Sequence, residues 1–153
     1  MDLGLTDGIV VVTGASKGIG YACAEAFARE GAQVVLVSRS AANLDAALGR
    51  FPATRHRPRT SVADLTRAED AARMAEDVER DVGPIDVLVN SAGAARRYAP
   101  ADLDASAWHA AMDAKFFSYI HAIDPSVKRM ARRGSGVIVN VIGDGGKLPT
   151  PTR

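Results

Sequence analysis

The chain has 153 residues, a formal net charge of +1, and a composition that is 47% hydrophobic and 24% charged. That is enough for one soluble domain with a real core, and it gives no general reason to expect nucleic acid or an anionic membrane as a partner. Cys23 is the only cysteine, which excludes an intrachain disulfide and a cysteine-based metal cluster and suits a reducing, cytoplasmic setting. The acidic start, Met1-Asp2-Leu3-Gly4, does not read as a secretory signal, and no stretch approaches the roughly 20 apolar residues of a bilayer span.

Ile9-Val10-Val11-Val12 is a continuous apolar run, as expected of a strand covered on both faces. After a glycine-rich turn, a helix places Ile19, Cys23, Ala26 and Phe27 on one stripe, with Gly31 as its stop. Val34-Val35-Leu36-Val37 is a second strand, residues 43–48 a short helix, and residues 60–63 a weaker third strand. Arg55, His56, Arg57 and Arg59, around Pro52 and Pro58, read as a solvated connection. Thr66 with Glu69 has the form of a capping box, opening a helix with Ala71, Met74, Ala75, Val78 and Val82 inward.

Gly83-Pro84 ends that helix, and residues 85–89 form a fourth strand. A long helix follows from near Asp104 to near Gly134, with an apolar seam of Trp108, Met112, Phe116, Tyr119 and Ile123 and a bend expected at Pro125. Residues 136–141 are a fifth strand, and residues 143–153, rich in Gly and Pro, a loop. Short strands alternating with helices predict an α/β fold with a doubly wound parallel sheet in a single domain, 1–153. A complete doubly wound dinucleotide fold has six strands ordered 3-2-1-4-5-6. Five strands imply an incomplete C-terminal side.

Between the first strand and helix stands Thr13-Gly14-Ala15-Ser16-Lys17-Gly18-Ile19-Gly20. A pyrophosphate needs bare backbone N–H groups at a helix N-terminus, where the macrodipole also favours negative charge. Glycines permit the turn and a close approach that a Cβ would obstruct. The run lies where that mechanism requires, after a buried strand and opening a helix.

This fingerprint resembles that of the short-chain dehydrogenases/reductases. Asp64-Leu65 resembles that family's adenine-contacting pair, Asn90-Ser91-Ala92-Gly93 its Asn-Asn-Ala-Gly motif, and Gly136-Val137-Ile138-Val139-Asn140 the lead into its fifth strand. The likeness implies hydride transfer between a nicotinamide dinucleotide and a small carbonyl or alcohol substrate. It assigns cofactor contact to Gly14, Ser16, Lys17, Gly18, Ile19 and Gly20, to Ser38 and Arg39, to Asp64 and Leu65, and to Asn90, Ala92 and Gly93. NAD enzymes place a carboxylate after the second strand, whereas an arginine accommodates the 2′-phosphate of NADP. Here Ser38-Arg39 stand there, with Lys17 as a second cation, so NADP(H) is expected rather than NAD. The plainer reading of Arg39 is a solvated arginine at a strand end.

The family's chemistry uses a Tyr as general acid/base, a Lys four residues later, a Ser that polarises the carbonyl, and a helix Asn in the proton relay. No Tyr here has a Lys four positions later, and the motif is expected just beyond Arg153. The Ser position holds Gly143, followed by Asp144. Lys115 replaces the Asn: either its ammonium reaches into the cofactor cleft as a catalytic candidate, or it extends to solvent. Two functions follow. The chain is the NADP(H)-binding part of a reductase or dehydrogenase, inactive alone, or it is a non-catalytic dinucleotide-binding module. An unpaired fifth strand also predicts self-association.

Overall fold

In the computed structural model, which describes residues 4–93 and 98–143, strand and helix alternate along the chain. The elements are β1 (Ile9–Thr13), α1 (Gly18–Arg29), β2 (Gln33–Ser38), α2 (Ala41–Gly49), β3 (Arg59–Val62), α3 (Ala68–Asp81) and β4 (Val87–Asn90). A short 3₁₀ turn (Pro100–Asp102) then leads to α4 (Ala105–Met112), a π-helical turn (Asp113–Phe117), α5 (Ser118–Arg133) and β5 (Val137–Asn140).

The strands form one parallel sheet in the order β3-β2-β1-β4-β5. Val10 pairs with Val34 on one side and Val87 on the other, and Val12 with Leu36 and Val89. Successive strand residues point to opposite faces, so the valine runs feed two separate cores. Val10, Val12, Val34 and Leu36 pack with Ala24, Ala28, Leu44 and Ala47 of α1 and α2. Val11, Val35, Val37 and Leu88 pack with Met74, Val78, Ala122 and Met130 of α3 and α5. Helices thus cover both faces, the doubly wound architecture that the alternating pattern predicts. Arg129 and Arg133 of α5 also reach Glu79 of α3, at 3.2 and 3.9 Å. The cluster at 55–59 is less free than a solvated connection: Arg55 and His56 both hold Asp7, and Pro58 is buried.

Three local expectations are corrected. In α1 the buried residues are Gly20, Ala24 and Ala28, while Ile19 is 63% exposed and Ala26 is exposed too. The tight turn from β1 brings the helix close to the sheet, so small residues lie deepest, while Cys23 and Phe27 of the expected stripe pack half-buried against the same core. The capping box does not form. Thr66 donates instead to Asp64 Oδ1 through its hydroxyl (2.8 Å) and its amide (3.1 Å), an Asx turn, and α3 begins after Arg67 without a side-chain cap. The apolar seam holds only in its second half: Trp108 (60% exposed), Met112 and Phe116 face outward, whereas Ile123 packs against the core. The π turn shifts the helical register, and α5 buries Ser118, Ala122, Pro125, Ser126 and Met130, with Tyr119 and Ile123 half-buried.

Candidate functional site

The sheet's order reverses between β1 and β4: β2 and β3 lie to one side, β5 to the other. Loops leaving neighbouring strands diverge at such a point, and the crevice beyond the strands' C-terminal ends is the usual ligand site of these sheets. A cleft of about 470 Å³ lies there. Its walls are the β1–α1 turn (Gly14, Ser16, Lys17, Gly18, Ile19, Gly20), Ser38 and Arg39 after β2, Asp64 and Leu65 after β3, and Ala92 and Gly93 after β4. Four separate loops bring these expected residues together. Asn90 is placed differently. It is fully buried at the end of β4, where its Nδ2 donates to Asn140 Oδ1 at 2.9 Å, and it supports the cleft from beneath.

Within the turn, the glycines are required for different reasons. Gly14 has φ +66°, and a Cβ there would lie 2.8 Å from Ala92 Cα. A Cβ on Gly20 would lie 2.6 Å from the Gly14 carbonyl oxygen. These two serve the protein's own backbone, by letting the β4 loop and the first turn of α1 close on β1. Gly18, at φ +61° with open space around it, is the one whose missing side chain leaves the cleft free. Lys17 caps α1 without any side-chain bond to its first amides. A twelve-residue helix therefore offers uncapped N–H donors and the positive end of its dipole to the cleft, a fit for a pyrophosphate.

Sequence reasoning missed the part that three residues play in this geometry. Thr13 ends β1 fully buried, and its Oγ1 accepts from the amides of Ser91 (3.0 Å) and Ala92 (3.1 Å). The hydroxyl locks the β4 loop to β1, and the available signal was a polar residue closing an otherwise valine strand. Arg50 donates from Nη2 to the Ser16 carbonyl at 2.6 Å, across 34 positions of sequence. Thr66 fixes Asp64. Burial pushes the Asp64 carboxyl up, but the Thr66 hydrogen bonds, with Arg39 and Arg67 nearby, outweigh it and hold the group below the usual carboxylate range.

Around the expected catalytic positions, Lys115 lies in the π turn with Ala114 and Ser118 of the cleft wall on either side. It is exposed at its surface, yet a Cβ on Gly93 would meet its Cδ at 3.2 Å and its Nζ at 3.4 Å. The ammonium therefore lies against the β4 loop at the rim of the cleft. A Cβ at Gly143 would meet nothing within 4 Å, and Asp144 lies outside the described residues. Tyr119 donates its phenol to the Val141 carbonyl at 2.7 Å, and burial raises its pKa. No helix among the described residues is long and apolar enough to cross a membrane.

A doubly wound parallel sheet with a glycine-rich strand-to-helix turn at its switch point defines the class: a Rossmann-like α/β protein. Within that class, the sequence profile of the short chain dehydrogenases matches residues 8–153, and the chain belongs to this family. It is 36% identical over 141 residues to gluconate 5-dehydrogenase of Gluconobacter oxydans, covering 92% of this chain and 55% of that protein. It is 39% identical over 133 residues to a galactitol 2-dehydrogenase (L-tagatose-forming) of Cereibacter sphaeroides, covering 85% and 50%. The solved structure of an actinorhodin polyketide ketoreductase variant with NADPH superposes at a TM-score of 0.86 with 27% identity, over 94% of this chain and 56% of that one. The chain thus spans about half the length of the curated relatives it matches.

Proposed function

We propose that these residues are the NADP(H)-binding part of a cytoplasmic oxidoreductase acting on a small carbonyl or alcohol substrate. One observation carries the reading: Lys17 and Arg39 flank the cleft beside Ser16 and Ser38, with no carboxylate at the end of β2. A ribose 2′-hydroxyl calls for a carboxylate acceptor there, whereas a 2′-phosphate calls for cations. The uncapped start of α1 suits the pyrophosphate, and the Asp64–Leu65 wall suits the adenine. When bound, the dinucleotide supplies the hydride carrier, and the chain's own residues hold and orient it. Relatives named for acting on gluconate and galactitol, and one named as a γ-butyrolactone 1′-reductase, support an alcohol or carbonyl substrate.

Calorimetry tests the cofactor. NADPH is expected to bind at least about tenfold more tightly than NADH, with Arg39→Ala removing most of the difference, the size of one charge-assisted hydrogen bond. Equal affinities for the two overturn the reading.

A second reading, a dinucleotide-binding module without turnover, is favoured by Gly143 and Lys115 standing where the family's Ser and Asn are expected. Both readings expect these 153 residues, assayed alone with aldehydes and ketones, to consume NADPH no faster than background. Turnover that disappears in Lys115→Met would make Lys115 the proton donor. Self-association through the exposed Trp108, Met112, Phe116, Val137 and Val139 belongs to the same proposal.

A further inference from the structure

No motif points to Arg50, which follows α2, yet its guanidinium is fixed at two points. Nη2 donates to the Ser16 carbonyl at 2.6 Å, and the group lies 4.4 Å above the Tyr21 ring. The Tyr21 phenol donates back to the Arg50 carbonyl at 3.1 Å, and Phe51 holds the Tyr21 ring edge-on with centroids 5.6 Å apart. A surface arginine normally samples many rotamers and loses that freedom on binding. Here it is restrained before any ligand arrives.

Ser16 links the three segments that carry cations. Lys17 is its neighbour in the chain, and the Ser38 hydroxyl, next to Arg39, lies 3.4 Å from Ser16 Oγ. Arg50 holds the Ser16 carbonyl. The three are not equivalent. Arg39 shares its field with the Asp64 carboxylate. Arg50 has no carboxylate partner among the described residues, and one of an arginine's five N–H donors is engaged. A phosphate monoester carries about 1.5 to 2 negative charges at neutral pH, so with Arg39 partly compensated by Asp64 a third cation adds to the attraction.

We propose that Arg50, anchored to the carbonyl of Ser16 in the wall of this cleft, is a specificity-determining residue, a preorganised third cation for a phosphate monoester on the adenosine ribose. The inference rests on the NADP(H) reading above and deepens it. It also separates two roles: Arg50 as a prop for the turn, which serves every dinucleotide alike, and Arg50 as a charge, which serves only the 2′-phosphate.

The experiment titrates 2′,5′-ADP and 5′-ADP into the unsubstituted chain, Arg50→Met and Arg50→Lys, each checked by its melting curve. Arg50→Met keeps much of the aliphatic stem and removes the charge. It is expected to weaken 2′,5′-ADP about tenfold and to leave 5′-ADP within about twofold, with Arg50→Lys recovering part of the loss. Equal losses for both ligands overturn the proposal and leave Arg50 a prop for Ser16. An unchanged 2′,5′-ADP affinity also overturns it. Should the unsubstituted chain bind the two ligands equally, the NADP(H) reading itself falls, and this inference with it.

Discussion

The two flanks of the sheet are built on opposite terms. On the β1–β2 side, around the cleft, backbone groups find partners inside the chain: Thr13 holds two amides of the β4 loop, Val37 accepts from Ala15, and Arg50 holds Ser16. Every residue of β1 is buried. On the β5 side, Val137 is 55% exposed and Ile142 82%, while Trp108, Met112 and Phe116 stand outward on α4 and the π turn. The first region shows a cleft held by polar bonds between distant segments. The second shows apolar surface that the described residues do not cover, where helix register rather than hydrophobicity decided what is buried.

The contrast is broken most severely at the glycines. Gly14→Val and Gly20→Val drive a side chain into backbone atoms that cannot yield, at 2.8 and 2.6 Å, and Gly14 also leaves its permitted φ. Each is expected to destabilise by about 3 kcal/mol or more and to abolish binding of NADPH and NADH alike. A folded variant that still binds either cofactor removes the turn from the site.

Thr13→Val is next. It keeps the shape but strips the acceptor from two partly buried amides, at about 1–3 kcal/mol for an unsatisfied group, so urea denaturation is expected to show a loss of about 1–2 kcal/mol. Stability equal to the parent would show that the β4 loop is held by something else.

Asp64 gives a smaller, pH-gated effect. Its folded pKa lies below the unfolded value, so its contribution is fully present above that value and is lost as pH falls through the folded one. Stability measured from pH 7 to pH 3 is expected to decline less in Asp64→Asn than in the parent below about pH 4. Parallel declines would show that the Thr66 turn does not favour the charged carboxylate.

The smallest effect belongs to the other flank. Trp108→Ser is expected to change stability by less than about 0.5 kcal/mol, as a surface change does, while reducing self-association in light scattering across a concentration series. A large loss of stability would mean that Trp108 is packed, and the contrast between the flanks would fail.

The sequence by itself determined the five strands, their parallel order and the site's place among them. Short valine-rich runs bounded by turn residues read as strands of a parallel sheet even where, as in β5, they stay exposed, and Gly14 to Gly20 has the spacing of a turn from strand to helix. Ser38, Arg39, Asp64 and Leu65 were legible for the same reason: a residue at a strand's C-terminal end belongs to the crevice wherever the strand falls in the sheet. Tertiary structure alone decided the rest. The π turn that rotates Trp108 outward is one extra residue in a helical turn, invisible to a periodicity of 3.6. The bonds of Thr13 to Ser91 and of Arg50 to Ser16 join residues 78 and 34 positions apart. The division of labour among the glycines depends on which backbone arrives opposite each one, and no local pattern records that.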